Sequence, residues 1–274
     1  MTASYVKSFS DSLFSFYVYY SSLLLGWQIT SFIYLYQSTV TEEISNRLLK
    51  WIVFEPYVIG IGAFITMVIL IFFKISAHNH SKKILDLQKQ IKIQSFFLVI
   101  LFFNYLAIIY NIHLDVFELF TFVFAIWILT KWGSVFYNTK RAGWRHPTTH
   151  GTFFVSAILI GCSLLSIFNL IPIDNSFTQS LLLFFLIFDL FIVYARFQYL
   201  SKSGEATIQI ARKLMGPQIL YFGSRIILGI FMPAIFILYM MLLKESDIRG
   251  VEVLILVGTF LDRSLFVTSV DLTD

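Results

Sequence analysis

The chain returns, from one end to the other, to stretches of about twenty residues with almost no charge, and few folds can use such stretches. Gly151 to Leu170 holds no Asp, Glu, Lys or Arg at all. Only 13% of the 274 residues are charged while 58% are hydrophobic, against about 25% charged in a soluble domain. Most of the surface of such a chain has to meet lipid. The same composition excludes an intrinsically disordered or collagen-like chain, since Gly is 13 and Pro 5, and a disulfide-stapled secreted domain, since Cys162 is the single cysteine. A lone cysteine cannot hold an iron–sulfur cluster or a structural zinc, so this chain is expected to bind neither. A membrane β-barrel would need alternating polarity along each strand, whereas Leu181 to Phe188 is apolar on every side.

A helix needs about 20 apolar residues to cross roughly 30 Å of hydrocarbon. Runs of that kind, bounded by charge or turn residues, predict an all-α integral membrane bundle of about eight spans in one polytopic domain covering residues 1–274. They fall near residues 13–36, 57–74, 93–111, 116–137, 151–170, 177–200, 217–243 and 251–270. The third is interrupted by Asn104, and its short link to the fourth implies a tight helical hairpin. The segment before Leu13 does not read as a cleavable signal, so the first span is expected to stay in the membrane.

With eight spans both termini share a side with the loops after spans two, four and six. That side collects Lys and Arg at Lys82, Lys83, Lys140, Arg141, Arg212 and Lys213 among others. The opposite side has Arg47, Lys50, Lys244 and Arg249. The positive-inside rule places the basic side in the cytoplasm. A second reading makes the basic side a docking surface for an acidic subunit, which leaves the topology open to inversion. Residues 81–90 have apolar residues spaced like a short surface helix lying at the headgroups.

Charge at membrane depth points to function or to a buried pair. Asp189 sits near the middle of the sixth span, Arg225 about two turns into the seventh, Asp262 and Arg263 past the middle of the eighth, and Lys131 in the second half of the fourth. Asp115 and Glu118 read as interfacial carboxylates at a helix start. Chain direction puts Lys131, Arg225 and Arg263 in the half of the bundle next to the basic side, together with His78, His80, His146 and His150. Each alone is explained by a salt bridge or a snorkelling side chain; together they predict a polar pocket open to one surface. Such a pocket suits a quinone, whose two carbonyls need donors, whose tail needs an apolar slot and whose reduced form needs a base such as histidine. Haem needs facing histidines at matched depth, and the histidine spacing here does not supply them.

Specific strings then resemble a known family. Ser134 to Phe154, with Tyr137, Trp144 and the His146-Pro147-Thr148-Thr149 step, looks like the fourth-to-fifth-helix connection of the dimethyl sulfoxide reductase membrane-anchor family. Ser224-Arg225-Ile226-Ile227-Leu228 resembles that family's Trp-Arg-Ile opening of the seventh helix, and Gly258-Thr259-Phe260-Leu261-Asp262-Arg263-Ser264-Leu265-Phe266 resembles its Gly-Glu-Leu-x-Gly-Arg-x-x-Phe signature. The likeness covers about Trp132 to Leu272. Thr259 stands where the signature has glutamate and Asp262 where it has its second glycine, which moves the carboxylate nearly one helical turn. In the first half, Ala77-His78-Asn79-His80-Ser81 lacks the family's Leu-Gly-x-Pro after the histidine, and no glutamate lies near Gln94 and Ser95.

The resemblance implies a multi-pass anchor subunit in a prokaryotic cytoplasmic membrane. It implies that the chain binds and oxidises a quinol, menaquinone in this class, and passes electrons to an iron–sulfur subunit and on to a molybdopterin catalytic subunit, with no nucleic-acid partner. His78 or His80 is then the proton acceptor and Asp262 a second proton group. Arg225 and Arg263, with Lys131, are headgroup or structural donors, and Tyr137 and Trp144 line the pocket mouth. In the family the partner faces outward, which conflicts with the charge rule here. Two rivals stand beside this reading: a small transporter or channel using Asp189 and Arg225, and a degenerate anchor that has lost quinone turnover.

Overall fold

The computed structural model describes residues 2–37, 59–69, 71, 82–110, 115–138, 143–171, 173, 175–243 and 250–268. Among them there is no strand. In chain order the helices are α1 (Thr2–Gln37), α2 (Ile59–Ile69), α3 (Lys82–Ile109), α4 (Asp115–Asn138), α5 (Thr148–Ile167), α6 (Ser176–Lys202), α7 (Glu205–Met215), α8 (Ile219–Ile226), α9 (Met232–Leu243) and α10 (Val251–Thr268), with a π-helical turn, Ile227–Phe231, joining α8 to α9. Five stretches are long and apolar enough to cross a membrane: Lys89–Ala107, Leu119–Asn138, Thr148–Ile167, Ser176–Lys202 and Ile219–Leu243. That is the construction of a multi-pass membrane protein. The described part of α2 is too short to cross, and α10 carries Glu252, Asp262 and Arg263 within 18 residues.

Local chemistry sets the helix ends. Asn175 caps α6, its side-chain oxygen accepting from the Phe177 amide at 3.0 Å. Between α6 and α7 the backbone turns through Gly204 at φ 148, which side chains with a Cβ rarely adopt. Gly216 and Pro217 close α7.

Two elements differ from the sequence expectation. The surface helix expected at 81–90 and the third span are one 28-residue helix, α3, because no Gly or Pro interrupts it and the polar Gln94 and Asn104 are buried within the bundle. Residues 205–215, expected as connecting loop, form α7. Its Thr207, Ile210, Ala211 and Leu214 recur at helical spacing and are buried against Leu200, with Phe197, Phe222 and Leu265 packed alongside.

Helix α5 is the hub, touching α1, α4, α6 and α10. In lipid little hydrophobic force distinguishes helix contact from lipid contact, so association depends on close packing and interhelical hydrogen bonds. Both are present. Gly26 of α1 lies against Ala157 and Gly161 of α5 so tightly that a Cβ on Gly26 would fall 1.8 Å from the Ala157 carbonyl oxygen. Between helices, Tyr17 and Ser21 each donate to Gln94 Oε1 at 2.9 Å, Tyr34 to Thr178 Oγ1 at 2.9 Å, and Ser166 to Glu252 Oε1 at 2.8 Å. The outer faces stay apolar, with Phe184, Ile187, Phe191 and Leu242 exposed, a surface that suits acyl chains.

A second glycine seam joins α9 and its π turn to α10. A Cβ on Gly258 would sit 2.1 Å from the Gly229 Cα, whereas Gly223 in α8 faces open space. Gly258→Ala is therefore expected to lower the thermal midpoint of the detergent-purified protein, by the roughly 1–3 kcal/mol of an overpacked contact, and Gly223→Ala to leave it unchanged or slightly raised. Circular dichroism melts of the two variants check this.

Candidate functional site

The Gly229–Gly258 contact has a geometric consequence one turn away on each helix. Arg225 precedes Gly229 by four residues and Asp262 follows Gly258 by four, so with the helices antiparallel the glycine pair brings guanidinium and carboxylate together. The π turn contributes as well. Pro233 has no amide to donate to the turn before it, and the helix widens there, with the Met232 amide reaching back to the Ile227 carbonyl. This irregularity lies immediately after Arg225.

Arg225 is fully buried and bridges two carboxylates. Its Nε donates to Asp262 Oδ1 at 3.0 Å and its Nη2 to Asp189 Oδ2. One side chain thus ties α8 to α6 and α10. Arg263, next in sequence to Asp262, is also fully buried; its Nη2 donates to the Thr152 carbonyl at 3.0 Å and its Cζ lies 4.1 Å from the Phe153 ring centroid. A third guanidinium, Arg196, donates to the Gly143 carbonyl at 3.2 Å and lies 4.7 Å over the Phe266 ring. Several polar atoms of the cluster have no protein partner: Arg225 Nη1, Asp189 Oδ1, Asp262 Oδ2, and Arg263 Nε and Nη1.

Beside the cluster lies a cavity of ≈ 40 Å³, large enough for a few waters. With its open mouth it becomes a cleft of ≈ 480 Å³ of unfilled space. Arg196, Arg225 and Asp262 line it on the polar side; Leu200, Leu214 and Phe222 are among its apolar walls. Leu214 comes from α7, so the amphipathic helix forms one wall of the cleft.

The expected site residues separate into three sets. Arg225, Asp262 and Arg263 meet, as does Asp189. Lys131 does not join them: it is exposed, with its Nζ 5.6 Å from the Trp127 ring. Tyr137 is exposed beside His150, at 5.8 Å between ring centroids. Trp144 is buried and donates its Nε1 to the Phe266 carbonyl at 2.8 Å, so it holds the 143–147 turn to α10 instead of lining the cleft. His78 and His80 lie outside the described residues. Arg196 was missed by sequence reasoning, although the signal existed: it follows Asp189 by seven residues, two turns along the same face of α6.

The three strings that carry the family resemblance meet at this site. Trp144 bonds to Phe266, Arg263 to Thr152 and Arg225 to Asp262. Phe136, Trp144, Phe153 and Phe266 form an aromatic block between them, with centroids 4.6–5.5 Å apart. No family model, no curated protein and no solved structure matches the chain.

His146 sits at the edge of this block, its ring 4.5 Å from that of Tyr199. The Thr148 amide donates to its Nδ1, which fixes that nitrogen as an acceptor in the neutral ring. Burial, and then the positive charge of Arg196, hold its pKa below the usual 6.5. The unfolded chain therefore binds this proton first as pH falls, and folding stability is lost from about pH 6.5 downward. His146→Gln is expected to flatten the dependence of thermal midpoint on pH between about 5 and 7, read from melts across that range.

Removing Arg225 takes from Asp189 its ion-pair partner and leaves Asp262 to the fields of Arg196 and Arg263. Arg225→Met is expected to destabilise the protein by roughly 3–5 kcal/mol, and replacing Asp189 by Leu in the same chain, which keeps Asp262 for the two remaining guanidiniums, to recover most of that loss. Thermal unfolding in detergent distinguishes the single from the double variant.

Proposed function

We propose that the chain is the membrane anchor of a molybdopterin oxidoreductase complex of the dimethyl sulfoxide reductase type. In this reading it is an eight-span subunit of a prokaryotic inner membrane that takes a quinol into the Arg196–Arg225–Asp262 cleft. Electrons pass to an iron–sulfur subunit docked on the basic side and then to the molybdenum subunit. The observation that carries the reading is an apolar-walled cleft whose polar lining is Arg196, Arg225 and Asp262, beside a buried donor and a buried acceptor that the protein itself leaves unpaired, Arg225 Nη1 and Asp262 Oδ2. A quinone oxygen is an acceptor when oxidised and a donor as the quinol hydroxyl, and a guanidinium beside a carboxylate serves both states. In this reading the headgroup meets the polar wall and the tail leaves along the apolar residues of α7 and α8, Leu214 and Phe222. Two of the family-like strings supply Arg225, Asp262, Leu265 and Phe266 to this cleft and the third packs behind it through Trp144 and Thr152, which supports the same reading.

Oxidation of the quinol releases two electrons and two protons. The residues of this chain hold its oxygens, wall the ring with Phe222 and Leu214, and accept a proton that does not leave through the mouth. His78 and His80 are the acceptors that the resemblance implies.

One observation favours a second reading. The π turn beside Arg225 interrupts a membrane helix next to an ion pair, as the substrate sites of transporters do. Purification from native membranes separates the two. Co-elution with a partner showing iron–sulfur absorption, and reduction of that partner's clusters by added quinol, is the expected result; a homo-oligomer without such a partner sinks the anchor reading. In the intact complex, the His78→Ala, His80→Ala double variant is expected to slow quinol-driven cluster reduction by about a hundredfold or more, the scale of a lost general base.

A further inference from the structure

The charges of the cluster do not balance. Arg196, Arg225 and Arg263 face two carboxylates, Asp189 and Asp262, and among the described residues these five are the charged groups whose fields meet at the site. Arg225 takes up both carboxylates. Arg196 and Arg263 are left with a carbonyl oxygen and an aromatic face each, which are dipoles and quadrupoles and carry no compensating charge. Counted over the described residues, the site therefore holds one net positive charge that is largely enclosed by protein, where an uncompensated charge is costly. Two of the three guanidiniums line the cleft, so that is where an anion restores balance.

We propose that the cleft binds the quinol headgroup as its monoanion, with the phenolate oxygen held between Arg196 and Arg225. The inference rests on the quinol reading above and adds the charge state of the ligand. A quinol hydroxyl is a phenol and in water keeps its proton at neutral pH, as tyrosine does. Beside two guanidiniums the ionised form gains charge-assisted hydrogen bonds that the neutral form lacks. Binding breaks one O–H bond; the proton leaves to water at the open mouth, both bonding electrons stay on oxygen, and nothing is oxidised at this step. Arg196 is then a specificity-determining residue that selects an anionic ring over a neutral one of the same size.

Two ring compounds of similar size test this: 2-hydroxy-1,4-naphthoquinone, ionised at pH 7, and 2-methoxy-1,4-naphthoquinone, neutral at pH 7. Binding to the full chain in phosphatidylcholine nanodiscs is read from quenching of tryptophan fluorescence, since Trp144 stacks on Phe266 of the cleft wall. The wild type is expected to bind the anionic compound roughly 10–100-fold more tightly, the scale of a hydrogen bond to a charged group. Arg196→Gln is expected to bring the two compounds to within about threefold of each other, and Arg196→Lys, which keeps the charge, to retain a preference of about tenfold. Equal binding by the wild type overturns the anion proposal while leaving the quinone site standing. An undiminished preference in Arg196→Gln overturns its assignment to this cleft. Failure of both compounds to bind removes the quinone reading itself.

Discussion

The structure depends on a guanidinium almost wholly removed from the protein surface. Arg225 is enclosed between helices whose outer faces are apolar, and an isolated charge there is untenable. Asp189 on α6 and Asp262 on α10 meet it from two directions. The three helices are thereby fixed against one another in depth and rotation, because sliding any of them by one turn separates the charges by about 5 Å. The glycine contact between residues 229 and 258 is the steric counterpart of that requirement: the ion pair sets which residues face each other, and the absence of two side chains lets the backbones come close enough to form it.

The rest of the site follows from this register. With α10 fixed by Asp262, Arg263 is turned toward α5, where a backbone carbonyl and the Phe153 ring receive it. Phe266, one turn further on, falls under Trp144 and Arg196. The loop between α4 and α5 is thus tied to the end of α10 and to α6 by hydrogen bonds from Trp144 and Arg196. A cleft remains where α7 crosses the end of the bundle, and its polar wall is made from the same guanidiniums and carboxylate that hold the helices. Structural and binding roles are therefore not separable by single substitution at Arg225. They are more separable at Arg196, which is partly exposed and is held by a loop carbonyl and the Phe266 ring, with no ion pair of its own among the described residues.

Much of this was legible along the chain. The all-helical fold follows from apolar runs that have no period-two alternation, and Asp189, Arg225, Asp262 and Arg263 stand out because ionisable residues are rare within such runs. What sequence reading misjudged was rotation around each helix. Lys131 looks equivalent to Arg263 by depth, yet it points outward over Trp127 while Arg263 points inward. Arg196 looks like an interfacial residue near the end of its span, yet it lies on the Asp189 face and reaches the cleft. Trp144 looks like one of the aromatic residues common at membrane interfaces, but it is a buried cross-link.

The sequence by itself determined that the chain is helical, that its surface is apolar enough for lipid and that a few ionisable residues lie within its apolar runs. These are properties of composition and spacing, summed along a single chain. The tertiary structure decided which of those charges compensate one another, because a helix of 3.6 residues per turn carries depth in its numbering but leaves its facing to its neighbours. The meeting of three guanidiniums with two carboxylates beside the cleft, as the described residues give it, exists only once five helices and a loop are in place.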